Sequence, residues 1–158
     1  MSQLNWKDPV HFFAFGFGSG ALPKAPGTWG TLAAIPIYLI ISQWGWVAYA
    51  IMIVIMSVVG IAICGKTAED LATPDHPGIV WDEIVGYLIT MFLAPKGWLW
   101  IILGFILFRL FDIFKPFPIS WFDQRISGGL GIMADDWLAG LFGWFVLQVF
   151  AMLLLALV

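Results

Sequence analysis

Long apolar runs separated by short polar breaks organise this chain from end to end. "WVAYAIMIVIMSVVGIAICG" (46–65) is the clearest, because about 20 apolar helical residues cross roughly 30 Å of hydrocarbon. "IVWDEIVGYLITMFLA" (79–94), "WLWIILGFILFRLFDIF" (98–114) and "DDWLAGLFGWFVLQVFAMLLLALV" (135–158) read as further spans. "TLAAIPIYLIIS" (31–42) is shorter and carries Pro36, so it crosses only if its helix starts near Thr28. "HFFAFGFGSGAL" (11–22) is too short and too rich in glycine to span. No internal repeat, low-complexity run or linker interrupts the series. The pattern predicts an all-α integral membrane protein, one domain over residues 1–158. It is a single bundle of about five transmembrane helices with a glycine-rich re-entrant or interfacial N-terminal element.

Composition agrees. The chain is 61% hydrophobic and 11% charged, with a mean hydropathy of +0.95, whereas soluble domains are about half apolar and a quarter charged. Its 10 Trp and 14 Phe exceed what a small water-exposed domain can bury. The single cysteine, Cys64, lies in an apolar run, which excludes disulfides and thiolate metal sites and suits a small core residue. "MSQLNWKDPV" lacks the basic start and apolar stretch of a cleaved signal.

Charge placement carries more than the net charge of −3. If the chain weaves through the membrane, one face receives residues 1–30, 66–80 and 112–136, and with them Lys7, Lys24, Lys66, Arg109, Lys115 and Arg125. The other face receives Lys96. That asymmetry over short loops makes the crowded face cytoplasmic, with the N-terminus inside. Trp44, Trp46, Trp98 and Trp100 mark the far boundary; Trp81, Trp121 and Trp137 mark the near one.

The acids gather on the crowded face. Asp82 and Glu83 are expected to begin the third helix, Asp135 and Asp136 the fifth, and Asp112 to end the fourth between Arg109 and Lys115. Acids at helix N-terminal turns are each stabilised by about 0.3–1 kcal/mol, which would explain either pair alone. It does not explain Asp112 at a helix C-terminus, nor the convergence of all five. Two like charges 4 Å apart repel by about 4 kcal/mol at an effective dielectric of 20, so the cluster calls for added positive charge. A hard divalent cation with oxygen ligands supplies it, and with so few His and Cys, Mg²⁺ is favoured over zinc.

Gly86 and Gly140 stand within a turn of the acids and would bare helix surface beside them; close helix packing explains them equally well. "SGGLGIM" (127–133) reads as a flexible approach to Asp135, and "SGALPKAPGTWG" (19–30) as a second loop carrying Lys24 and Thr28. His11 and His76 read as interfacial residues. A cationic, glycine-bearing, carboxylate-rich pocket at a membrane surface suits a phosphorylated lipid headgroup bound through metal. The expected partners are the membrane and a phospholipid, not nucleic acid.

"GFGSGALPKAPGTWGTLAAIP", "IVWDEIVGY", "FRLFDIFKPFPISWFD" and "GGLGIMADDWLAG" together resemble the phosphatidylglycerophosphatase A family of bacterial inner-membrane lipid phosphatases. The resemblance runs in order from Gly16 to Gly140, and "TAEDLATPDHPGIVWDE" extends it to Asp70 and Asp75. It implies Mg²⁺-dependent removal of the terminal phosphate of phosphatidylglycerophosphate, leaving phosphatidylglycerol. On that reading Asp82, Glu83, Asp112, Asp135 and Asp136 hold metal or, Asp135 apart, serve in catalysis. Arg109, Lys115, Lys24 and Thr28 meet phosphate, with Asp70, Asp75 and Arg125 as further site residues. No Cys-x5-Arg loop and no Asp-x-Asp motif occurs, so direct attack by metal-activated water, without a covalent intermediate, is the economical mechanism.

A transporter or channel is the rival reading, but its acids should line a path across the bilayer, and here the middle and far halves of the helices are apolar. A non-catalytic scaffold would explain the Trp belts but not five converging acids.

Overall fold

The computed structural model describes residues 3–158 and is all-helical over them. The helices are α1 (Pro9–Ala14), α2 (Pro26–Ile41), α3 (Trp46–Asp70), α4 (Trp81–Thr90), α5 (Trp98–Phe114), α6 (Ile119–Arg125) and α7 (Gly128–Ala156), with 3-10 turns at Ser19–Ala21 and Ser42–Trp44. α3 and α7 are long and apolar enough to cross a membrane. α2 does start early, on Pro26, which supplies a preset φ at a position with no intrahelical N–H bond to lose.

α4 is the centre of the bundle. It packs against α2, α3, α5 and α7, and Trp81, Ile84 to Leu88 and Thr90 are all buried. The sequence pattern ran a helix over 79–94; the structure ends it at Thr90, after 10 residues, about 15 Å of rise. An end inside apolar surroundings must have its carbonyls satisfied by protein. Distant helices do this. Tyr49 Oη donates to Leu88 O at 2.6 Å, and Trp144 Nε1 and Gln148 Nε2 donate to Phe92 O at 2.8 and 3.2 Å.

Two other expectations are corrected here. α7 begins at Gly128, so "SGGLGIM" is the helix's own first turns rather than a flexible loop. Glycine costs about 1 kcal/mol in a helix interior, and packing overrides it: a Cβ on Gly129 would collide with Ile61 O of α3. Gly86 and Gly140 are likewise packing residues. A Cβ on Gly140 would stand 2.5 Å from Gly86 O, so these glycines set the α4–α7 approach rather than opening backbone to a ligand.

The N-terminal segment 11–22 contains α1, capped by Asp8, whose Oδ1 accepts from Val10 N at 2.9 Å. His11 is buried within the protein: its Nε2 lies 3.1 Å from Asp70 Oδ2, pinning α1 to the end of α3. Val80 N donates to Ala14 O at 2.9 Å, so this segment also braces the entry to α4.

Candidate active site

Three helices and one turn build the site. Asp82 and Glu83 occupy the first turn of α4, as the sequence suggested. Asp112 lies in the last turn of α5, with Lys115 just past it at the helix cap. Asp135 and Asp136 sit well inside α7 instead of at its start, so the helix dipole gives no account of them. Asp112, Asp135 and Asp136 are 9%, 7% and 2% exposed; Asp82 and Glu83 are half-buried.

The convergence divides into two parts. Arg109 donates to Asp112 Oδ2 through Nη1, and Lys115 Nζ lies 3.7 Å from Asp112 Oδ1 and 2.6 Å from Asp135 Oδ2. Burial opposes charge on Lys115, but the carboxylates of Asp135, Asp136 and Asp112 outweigh it and raise the ammonium above its ordinary range. Asp82, Glu83 and Asp136 form the second part. They have no ion pair to Lys or Arg among the described residues, yet each offers an oxygen within 4.8 Å of the others.

Asp82 Oδ1, Glu83 Oε2 and Asp136 Oδ2 are buried and accept no hydrogen bond. Each such buried orphan costs about 1–3 kcal/mol, more when charged. A hard divalent cation would satisfy all three at once, and an all-oxygen donor set suits Mg²⁺. Asp135 Oδ1 and Arg109 Nε are likewise without partners. The first turn of α2 closes the other side: a Cβ on Gly27 would fall 2.6 Å from Glu83 Oε1 and 3.0 Å from Arg109 Nη1. Thr28 follows on the same turn, half-buried.

A polar cavity of about 230 Å³ opens beside the cluster, lined by Asp82 and Asp135 together with Asp75, Asp123, Gln124 and Arg125. A larger apolar groove of about 590 Å³ between α3 and α7 has no carboxylate on its wall. Lys24 is exposed, and only its carbonyl is engaged, by Trp29 Nε1 at 3.0 Å. Asp70 is paired with Lys66 at 3.0 Å and with His11. His76 Nδ1 accepts from Gly78 N. Sequence reasoning missed Gly27, Asp123 and Gln124. Pro26 followed by glycine at a helix start was a usable signal for the first; nothing local marked the others.

The family model of phosphatidylglycerophosphatase A matches residues 12–151. The chain belongs to the phosphatidylglycerophosphatase A family. It is 44% identical over 140 residues to a phosphatidylglycerophosphatase A of Escherichia coli K12, covering 88% of this chain and 81% of that protein. It is 42% identical over 153 residues to one of Haemophilus influenzae, covering 96% and 93%. A Bacteroides thetaiotaomicron protein provisionally named phosphatidylinositol-3-phosphatase is 36% identical over 143 residues, covering 85% and 88%. No solved structure matches the chain. All five acids lie inside the family match, as do Arg109 and Lys115.

Proposed function

We propose that this family member removes the terminal phosphate of phosphatidylglycerophosphate, giving phosphatidylglycerol and inorganic phosphate. The observation that carries the reading is the meeting of Asp82, Glu83 and Asp136, none of them in an ion pair with Lys or Arg among the described residues, beside the Arg109 and Lys115 network. The names of the two relatives above 40% identity support the substrate. Mg²⁺ is the proposed cofactor, held by Asp82, Glu83 and Asp136. When bound, such a cation neutralises phosphate oxygens and makes water more acidic.

The chain's own residues do the rest. Asp112 aims the Arg109 guanidinium, a planar donor set that matches phosphate oxygens. Lys115 adds a second cation, and the first turn of α2, with Gly27 and Thr28, brings backbone N–H groups and a helix N-terminus to the same place. The attacking water loses its proton to a carboxylate of the cluster as its oxygen bonds to phosphorus. The bond from phosphorus to the glycerol oxygen breaks, and that oxygen takes up the proton that the carboxylate received from the water. No thiol or aspartyl-phosphate intermediate is required.

We further propose that α2, α3, α5 and α7 cross the inner membrane. α4 with residues 91–97 completes a fifth passage, the N-terminal segment lies at the interface, and the site and N-terminus face the cytoplasm. The transporter reading is disfavoured by family membership and by acids gathered at one end of the helices. Phosphate release from phosphatidylglycerophosphate in mixed micelles tests the proposal. Release with Mg²⁺ that stops with a chelator is expected; a folded protein inert at saturating Mg²⁺ would overturn it.

A further inference from the structure

We infer that the cavity beside the acid cluster is a linker pocket. It binds the hydroxyl and the non-scissile phosphodiester that lie between the scissile phosphate and the lipid, and so selects glycerol-linked substrates. This rests on the function proposed above.

Continuity comes first. Asp82 belongs both to the three-acid cluster and to the cavity wall, so a ligand whose phosphate reaches the cluster can extend its next few atoms into this space. Asp135 forms part of the same wall; its residue is 7% exposed and its Oδ1 is buried with no donor. A small shift of the side chain would present this unpaired acceptor to the cavity, and a hydroxyl is a fitting donor for it.

The lining chemistry narrows the ligand. Asp75, Asp123, Gln124 and Ser127 offer acceptors, and Arg125 is the one cation on the wall. A phosphate dianion set among these carboxylates would be repelled by about 4 kcal/mol per charge pair at 4 Å. The cavity is therefore no second monoester site. A hydroxyl suits carboxylate acceptors, and a phosphodiester monoanion, with half the charge for those carboxylates to repel, suits the single guanidinium. Arg125 is not adrift: its guanidinium carbon lies 5.5 Å over the Trp121 ring, which limits where the group can swing. At about 230 Å³ the space falls below the range of sites for drug-sized ligands, and fits a short polar linker rather than acyl chains.

Phosphatidylglycerophosphate carries both groups in that segment. Phosphatidic acid, whose phosphate monoester sits directly on diacylglycerol, carries neither. The pocket therefore discriminates between two substrates with the same scissile bond.

The test compares kcat/KM for phosphatidylglycerophosphate and phosphatidic acid of matched chains, in the same micelles at fixed Mg²⁺. Wild type should favour the former. Arg125→Gln should shrink that preference by roughly tenfold, the scale of one hydrogen bond to a charged group, and Asp75→Asn should shrink it in the same direction. Arg125→Lys should restore part of it. A role in folding alone would lower both substrates together and leave the ratio in place. In chelator, short-chain phosphatidylglycerol, which retains diester and hydroxyls, should raise the melting temperature of wild type and not of Arg125→Gln. Ratios within twofold of wild type in both variants, or no preference in wild type, overturn the linker pocket while phosphate release still supports the preceding proposal. Absence of release from either lipid overturns that proposal, and the melting shift then decides the pocket by itself.

Discussion

The ammonium of Lys115 lies 2.6 Å from Asp135 Oδ2, tying the turn after α5 into the body of α7. Lys115 reaches that position with φ of 45°, a left-handed conformation that costs a non-glycine residue about 1–2 kcal/mol. The strain and the ion pair can be separated. Lys115→Ala keeps the strained φ and removes the ammonium; Lys115→Gly removes both. Both variants should lose phosphate release to the same extent, while the glycine variant melts higher by the equivalent of about 1 kcal/mol. Thermal unfolding in detergent beside an activity assay reads this directly. Normal turnover in either variant would remove Lys115 from the site.

Asp82, Glu83 and Asp136 are expected to behave differently from Asp112 and Asp135. The amide variants of the first three remove the proposed cation ligands, and activity should fall by more than the roughly 10–100-fold that outer-shell changes cost. Raised Mg²⁺ should recover part of the loss. Asp112→Asn and Asp135→Asn instead release Arg109 and Lys115 from their partners, so added metal should recover little. Glu69, exposed on the last turn of α3, is the clean control. Asp8 is not, because it caps α1. Wild-type turnover in three or more of the five amide variants would reduce the cluster to a structural feature.

The acids could be brought together from sequence because two of the three carrier helices had legible ends. Asp82 and Glu83 do open α4, and Asp112 does close α5 between Arg109 and Lys115. The third helix was misjudged by two turns. Gly128, Gly129 and Gly131 look like a loop on intrinsic preference, and the close approach of Gly129 to α3 and of Gly131 to Ile126 is tertiary information that the local sequence does not carry. The early end of α4 was equally hidden. Residues 90–94 are apolar, and the groups that satisfy the freed carbonyls come from Tyr49, Trp144 and Gln148, all distant in sequence. Local spacing gave Arg109, Asp112 and Lys115 as neighbours, but the link from Lys115 to Asp135 is tertiary. Which three acids lack a cation could therefore not be read from the chain.

Two glycines of α2 should respond in opposite ways to alanine. At Gly27 the new methyl meets Glu83 Oε1 at 2.6 Å and Arg109 Nη1 at 3.0 Å, the movable ends of long side chains. Gly27→Ala should fold and melt near wild type, yet lose activity at least tenfold, since displacing catalytic groups by about 1 Å costs up to 10²-fold. At Gly30 the methyl meets Val80 Cβ at 2.5 Å, in a segment pinned to Ala14 O. Gly30→Ala should therefore lose stability by about 1–3 kcal/mol, as overpacked cores do. Melting curves and phosphate release for both variants separate the cases; an active Gly27→Ala would remove the first turn of α2 from the site.

Sidedness follows from the basic residues. On the proposed topology Lys7, Lys24, Lys66, Arg109, Lys115 and Arg125 fall on one face and Lys96 on the other, an asymmetry that orients short-looped membrane proteins with the richer face inside. Single cysteines report it. One at Lys96 should react with an impermeant thiol reagent added to intact cells. One at Ser127, exposed at the start of α7 and next to the polar cavity, should react only after the cells are opened. Gly129 would be a poor reporter, because any side chain there collides with Ile61 O. The native Cys64 is fully buried and should contribute little background. Labelling of the Ser127 position from outside, with Lys96 protected, would invert the bundle. It would put the site on the outer face, where a cytoplasmic supply of phosphorylated lipid could not reach it without first crossing the membrane.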